Sequence, residues 1–508
     1  MADRVHKSLM NVKVGLFFYF TSILLAFFSR RIFLENLGDQ FIGLTGTLGS
    51  ILNLLNISEL GIGTCISFFL YKPIEQNDKF KICEIVSLFG WLYRIIGLFI
   101  LGAGLVVSLF FPIIFEKEEI SLIIIYFTFY CFLLSCIIGY LINYRQILLD
   151  SDQKTYKISI WTQSGSIIKT IFQLWLAYKY KNVYLWVSLE FIFSLFTCWI
   201  LNYIISKEYP WLRTQKSEGR NLLKKYPDIL IKAKQIFIHR MKNSLISKCD
   251  ELFIFAFESL QMVTLYGNYN MVVGKLSSLF NNVFTGMNAS IGNLVAEGDK
   301  ITIKKVFWEF LFFRYWATGI IIICLSFLIN PLIVWWVGEQ YVLPMHIVAL
   351  ILLNTYILFT IPSVNLFINA YGLYNDTWAA YLEAFINISI TVIIGWYWGL
   401  VGILLGKAIS TIIMGGIWKP YYLYKYGFQD SIKTYWYNIL THIFILLSSI
   451  IMNSLLISVT GWIIKPTIMG FVSFLICISL PIIIVYSLLT AFFTSGAKDI
   501  LSRISIFR

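Results

Sequence analysis

Charge is scarce in this 508-residue chain: Asp, Glu, Lys and Arg make up only 13% of it, where an ordinary soluble domain carries about 25%. The four histidines (His6, His239, His346, His442) are scattered, and none of the eight cysteines forms a CxxC pair, so no metal site is expected. Cys131 and Cys136 read as packing residues of an apolar helix. There is no GxSxG, no Walker lysine loop and no HExxH. Without a nucleotide-binding motif or a resident cofactor, any work the protein does must draw on an ion gradient (H+ or Na+) or on the gradient of its own substrate. Asp150-Ser151-Asp152 has the look of a sugar-phosphate DxD motif, but it stands alone beside Gln153-Lys154. No loop expected on the external side is long. The longest loop on one side, Asn330–Leu343, is apolar and Trp-rich, as a membrane-interface belt would be.

What the chain has in abundance is apolar runs: 58% of it is hydrophobic. The runs recur in blocks of about 20 residues, the length a helix needs to cross the hydrocarbon of a bilayer. Alternating segments of about 10 residues, the mark of a membrane β-barrel, do not occur. The pattern predicts an all-α polytopic membrane protein with about fourteen transmembrane helices. The N-terminal run, preceded by Arg4, Lys7 and Lys13, is read as the first retained span, because no small-residue cleavage site follows it. The formal net charge of +13 is sorted by topology: about three-quarters of the Lys and Arg fall in alternate inter-span segments, which places both termini in the cytoplasm. This distribution argues against a nucleic-acid partner and for a multi-pass membrane protein.

One polar stretch interrupts the pattern. Residues 206–245 are basic and partly amphipathic through Leu222, Leu223, Ile229, Ile231 and Ile236. They predict a cytoplasmic linker lying along the membrane surface on anionic lipid. On either side lies an internal repeat at a constant offset of 225: Gly49 with Gly274, Asn56 with Asn281, Gly61 with Gly286, Ile66 with Ile291, Lys79 with Lys304. Each stretch falls in the second span of a six-span set, so the halves share orientation as a parallel repeat. The expected organisation is an N-terminal six-helix lobe over 1–205, the linker, a C-terminal six-helix lobe over 246–433, and an appended helix pair with a basic tail over 434–508.

A charged side chain at the centre of a membrane helix costs about 2.5–3.5 kcal/mol on insertion scales, so charges inside the spans are candidate functional residues. Lys169, Lys275, Arg314 and Lys407 are singled out on this ground alone. Each can instead pair with a carboxylate; as a set they favour a hydrated cavity suited to an anion such as a diphosphate. Glu59 stands in a predicted continuous span over 41–70, on a polar stripe with Asn53, Asn56 and Gly63. It reads either as a proton- or cation-sensitive carboxylate or as a paired structural acid. Its repeat equivalent is Phe284, so the halves differ chemically at this point.

The motifs SRRIFLENLG, FIGLTG, SELGIG, LYKPI, YRIIGL and SDQK follow in order over the first 155 residues, and NAYGLYND, LEAFINISIT and GLVGILLGKAIS within Asn369–Trp418. Together they resemble Wzx-type polysaccharide and O-antigen flippases of the multidrug/oligosaccharidyl-lipid/polysaccharide exporter superfamily. The resemblance implies a V-shaped pair of six-helix lobes that works by alternating access. It implies movement of undecaprenyl-diphosphate-linked oligosaccharide from the cytoplasmic to the outer leaflet for O-antigen, capsule or exopolysaccharide assembly, with membrane lipids and a polysaccharide polymerase or other assembly proteins as partners. It adds Arg30 and Arg31 of SRRIF to the cation candidates, which the sequence leaves as cavity cations or outer-end anchors, and it supports Glu59 of the ELG motif as the ion-coupling residue. The expectation is a transporter and not an enzyme. The competing readings are a MATE-like multidrug/cation antiporter, whose cavities are acidic, and a membrane-embedded polysaccharide polymerase, which would need a substantial external loop.

Overall fold

Backbone polar groups in hydrocarbon must be satisfied within their own segment, and the apolar runs accordingly form helices. A computed structural model describes residues 2–59, 61–229, 233–234, 250–285, 287–373, 375–497 and 500, all helical or in connecting turns. Ten helices among them are long and apolar enough to cross a membrane. Large apolar side chains such as Phe17, Phe28, Phe444 and Val459 lie exposed along them, where a water-soluble protein would carry charge. The chain is a multi-pass membrane protein. It divides into two compact units, Met1–Thr264 and Leu265–Arg508, with the division later than the expected start of a second lobe at 246.

In the first unit, α1 (Ala2–Leu37) is followed by α2 (Asp39–Leu55), α3 (Ile62–Glu75), α4 (Lys79–Ser108), α5 (Leu122–Ile142), the short α6 (Gln146–Ser151), α7 (Thr155–Tyr180) and α8 (Val183–Glu208). The expected continuous span over 41–70 is corrected: α2 ends at Leu55, Asn56–Glu59 form a 3-10 turn, and α3 starts at Ile62. Gly61 has φ +97°, in the left-handed region that only glycine enters freely. Hydrophobic periodicity continues across this break, so the apolar pattern does not reveal it.

The linker also departs from expectation. A short helix α9 (Gly219–Lys225) lies against α4. Leu212, Leu222 and Ile229 are buried in the first unit, whereas a surface helix on lipid would leave such a face to the bilayer. The Cys65 thiol of α3 donates to the Ile229 carbonyl at 3.2 Å, Lys225 pairs with Glu84 at 2.6 Å, and the Tyr226 hydroxyl donates to the same carboxylate at 2.6 Å. A Cβ on Gly219 would overlap the Trp91 ring, so the strap sits directly on α4. The amphipathic pattern was a genuine signal for a buried face; the surface it meets is protein. Ile231 and Ile236 lie outside the described residues.

The second unit is built around a cluster of aromatic rings including Phe280, Phe284, Phe307, Phe310, Phe359 and Phe367. α10 (Leu260–Thr285), whose first turn belongs to the first unit, and α11 (Asn288–Glu297) lead into α12 (Lys300–Trp336), 37 residues long. Residues 330–336, expected in an external loop, continue this helix through Pro331. α13 (Met345–Thr360) and α14 (Pro362–Ala370) follow, then a hairpin of α15 (Thr377–Trp398) and α16 (Leu400–Thr411) turning at Gly399. α17 (Lys433–Thr460) and the helical segment Ile468–Phe493 close the chain and pack on α12, with the Trp316 indole donating to Ser487 at 2.9 Å.

Candidate functional site

Glu59 is the last residue of the 3-10 turn that breaks the helix. The break releases its side chain from a helical surface, and two phenols from neighbouring helices take hold of it. The Tyr93 hydroxyl of α4 donates to one carboxylate oxygen, and the Tyr140 hydroxyl of α5 donates to the other at 2.6 Å. Tyr140 also reaches Asn56 Oδ1 at 3.2 Å, and the Cys136 thiol donates to that amide oxygen at 3.1 Å, so Cys136 does more than pack. Hydrogen bonds to an ionised acceptor are about twice as strong as neutral ones. Glu59 is therefore fixed by two helices that are distant from it in sequence.

A cavity of about 540 Å³ opens beside this carboxylate. Glu59, Gly61, Thr64, Tyr93, Asn143, Gln146 and Asp150 are among its lining residues. It holds two carboxylates, and no Lys or Arg is among the described residues that line it.

A second cavity, about 210 Å³, lies between α7 and α8 and is lined by Lys169 and Glu190 together with Thr162, Ser166 and Ser194. Lys169 pairs with Glu190 at 2.7 Å, and Gln173 donates to the other oxygen of Glu190 at 3.1 Å. The lysine's charge is balanced where it lies. Arg30 is half-buried and donates to the Thr264 carbonyl at 3.3 Å. Arg31 is exposed and pairs with Glu35 at 2.8 Å along its own helix.

In the second unit Arg314 is buried, 3% exposed, on α12. Its Nε donates to the Phe359 carbonyl at 2.5 Å and an Nη donates to Asn281 Oδ1 at 3.0 Å. The guanidinium lies over the rings of Phe284 and Phe280, at 4.7 and 5.3 Å from their centroids. Among the described residues no carboxylate lies within ion-pair distance of it. Lys275 on α10 and Lys407 on α16 are half-buried. Within each unit the candidates are thus spread over several helices: Glu59 and Lys169 line different cavities with Asn143 common to both, and Arg31 lies on the surface.

The DxD-like stretch has a structural use. Asp152 is bound by Lys7 at 3.2 Å, Lys154 at 2.6 Å and the Tyr209 hydroxyl at 2.8 Å, while Lys154 and Lys157 both reach Glu208 at 2.8 and 2.5 Å. Burial works to raise the Asp152 carboxyl, but the hydrogen bonds from Lys154, Tyr209 and Lys7 outweigh it and hold the group below the usual carboxylate range. Asp150 instead faces the cavity beside Glu59. Among the described residues no cluster of His, Cys, Asp and Glu could hold a metal ion.

Sequence reasoning missed Tyr93, Tyr140, Asn143 and Gln146. Tyr93 opens the YRIIGL motif, which was the only signal available. Nothing local links a tyrosine 34 or 81 positions away to Glu59.

No protein-family model matches the chain, and no curated protein sequence does. Among solved structures it is similar to the lipid II flippase MurJ in an inward closed conformation, with a TM-score of 0.65 and 14% identity over 94% of this chain and 98% of that one. It is also similar to a multidrug resistance MATE family transporter of the MOP superfamily in an inward-facing conformation, with a TM-score of 0.55 and 12% identity over 78% of this chain and 93% of that one. At these identities the likeness is one of fold. The chain has the fold of these transporters.

Proposed function

We propose that this chain is a flippase for lipid-linked oligosaccharide, moving undecaprenyl-diphosphate-linked repeat units from the cytoplasmic to the outer leaflet of a bacterial plasma membrane. The observation that carries the reading is the fold match to a lipid II flippase over nearly the whole length of the chain. The MATE transporter accounts for less of it, and the difference is close to the length of 434–508, the appended pair. In this reading fourteen spans cross the membrane: the ten long apolar helices, the broken α2–α3 pair, the more polar α7 and α10–α11, and the span expected over 246–266. Two six-helix lobes alternate access, both termini are cytoplasmic, and no covalent step is involved. Lys275 and Lys407, with Arg30 and Lys169, supply positive charge for the diphosphate, Arg314 adds to the field from its enclosed position without contact, and Arg31 anchors the outer end of α1. Glu59 couples transport to an ion gradient, because the helix break presents a carboxylate, held by two phenols, to a polar cavity.

The test is deletion of the gene followed by analysis of lipid-linked glycan. Accumulation of a glycan on undecaprenyl diphosphate in the cytoplasmic leaflet is expected; unchanged intermediates and unchanged surface polysaccharide would refute the reading. One observation favours a second reading, a MATE-like cation antiporter: the cavity beside Glu59 carries two carboxylates, as a site for cationic drugs would. Drug sensitivity of the deletion strain with normal surface glycan would select it.

A further inference from the structure

We propose that the 540 Å³ cavity beside Glu59 recognises an uncharged, hydroxyl-rich sugar residue and excludes uronates and phosphates. The inference deepens the flippase reading and rests on it only for the identity of the natural ligand. The volume falls within the range of small-molecule sites, about 300–1,000 Å³. Such a ligand presents hydroxyls side by side, each both donor and acceptor, and is best met by groups of both kinds in one wall.

The cavity provides that mixture. Glu59 and Asp150 accept, the Gln146 amide both donates and accepts, Thr64 and Ser67 add hydroxyls, and the Asn143 amide, already bonded to Cys198 and Asn202, keeps one N–H and one lone pair. Two oxygens of Glu59 offer about four lone-pair sites, of which the two phenols use one each, so acceptor capacity remains. The Gln146 amide is half-buried. Among the described residues its side chain, like those of Thr64 and Ser67, has no protein hydrogen-bond partner. Phe89 and Tyr93, with ring centroids 4.0 Å apart, and Tyr71 supply aromatic surface in the same wall, suited to the apolar face of a pyranose.

The sign of the charge sets the selectivity. With two carboxylates and no cation among the described lining residues, a uronate or phosphate entering the cavity would meet like charge without a counter-ion. A cationic drug would meet opposite charge but leave the amides and hydroxyls unused. The position also fits. The cavity lies toward the end of the unit where Lys7 and Asp152 pair, with Tyr71 lining both this cavity and its neighbour beside Lys7. In the proposed topology that is the cytoplasmic end, where the glycan is loaded.

The experiment uses the full chain in lipid nanodiscs and saturation-transfer NMR with lactose and with digalacturonate. Lactose is expected to receive saturation and digalacturonate none. Gln146→Leu and Thr64→Val are each expected to weaken lactose binding by about fivefold, the weight of one hydrogen bond, with thermal unfolding unchanged. The inference is overturned if neither sugar binds, if digalacturonate binds as well as lactose, or if both variants bind like the parent. A parent protein that binds lactose at these residues, from a strain whose deletion leaves lipid-linked glycan unchanged, would keep the sugar site and remove the flippase reading. Accumulation of glycan on deletion, with lactose binding indifferent to both substitutions, would do the reverse.

Discussion

At the offset of 225 read from the sequence, the two units place the same amide in opposite electrostatic company. Asn56 accepts hydrogen bonds from Tyr140 and Cys136 beside the carboxylate of Glu59. Its equivalent, Asn281, accepts from the guanidinium of Arg314. At the common offset, Glu59 corresponds to Phe284 and Phe89 to Arg314. Charge and ring have exchanged places: the first unit carries its charge at the helix break and the ring on α4, and the second carries the ring on α10 and the charge on α12. In the first unit the charge borders a polar cavity, whereas in the second it is enclosed among aromatic rings. Positions 225 apart in the sequence thus hold one acid beside a cavity and one enclosed base.

The comparison can be broken most severely at Arg314. Arg314→Ala removes two hydrogen bonds and a stacked cation, leaving Asn281 and the Phe359 carbonyl without this donor. A loss of about 3 kcal/mol is expected, read as a lower melting temperature in nanodiscs and reduced abundance. A variant as stable as the parent would show that the enclosure is not structural. Glu59→Gln keeps the shape of the acid but removes its charge. We expect glycan export to fall by about tenfold or more, with a stability change near 1 kcal/mol, and export assays beside melting curves separate the two. Full export in the Gln variant would remove Glu59 from ion coupling.

Lys169 and Glu190 test whether a balanced pair resembles either extreme. Lys169→Met and Glu190→Gln singly strand the other charge, and for a pair partly open to its cavity a cost of about 1–2 kcal/mol each is expected. The double variant should recover part of it, as a double-mutant cycle would show. The smallest effect belongs to Asp152. Because its folded carboxyl titrates below the ordinary value, its stabilising contribution is present above the unfolded value of about 3.9 and is lost as pH falls through the lower folded value. Asp152→Asn should therefore lower the melting temperature slightly at pH 7, and the gap to the parent should close below about pH 4.

The positions of the helices were largely legible, because a run of Leu, Ile and Phe such as 122–142 has few ways to satisfy its backbone in lipid other than α5. The break at Asn56–Gly61 was not, since apolar residues continue on both sides and a glycine with positive φ looks the same in sequence as a glycine in a helix. Glu59 was found by the cost of placing a carboxylate in an apolar span. Its phenols were not, because a contact between α3's leading turn and α5 is set by packing and not by spacing. The linker shows a third kind of limit: Leu222 and Ile229 announce a buried face, and the pattern carries no information on whether lipid or protein covers it.

That linker leaves a trace that related chains would carry. Residues 212–229 lie on α3 and α4 as closely as a secondary element does, through Gly219 against Trp91, Lys225 with Glu84, and Ile229 with Cys65. Such pairs are expected to covary across homologues: a larger residue at position 219 should come with a smaller one at 91, and a reversed charge at 84 with a reversed charge at 225. The segment would then diverge at the pace of a helix and not of a loop.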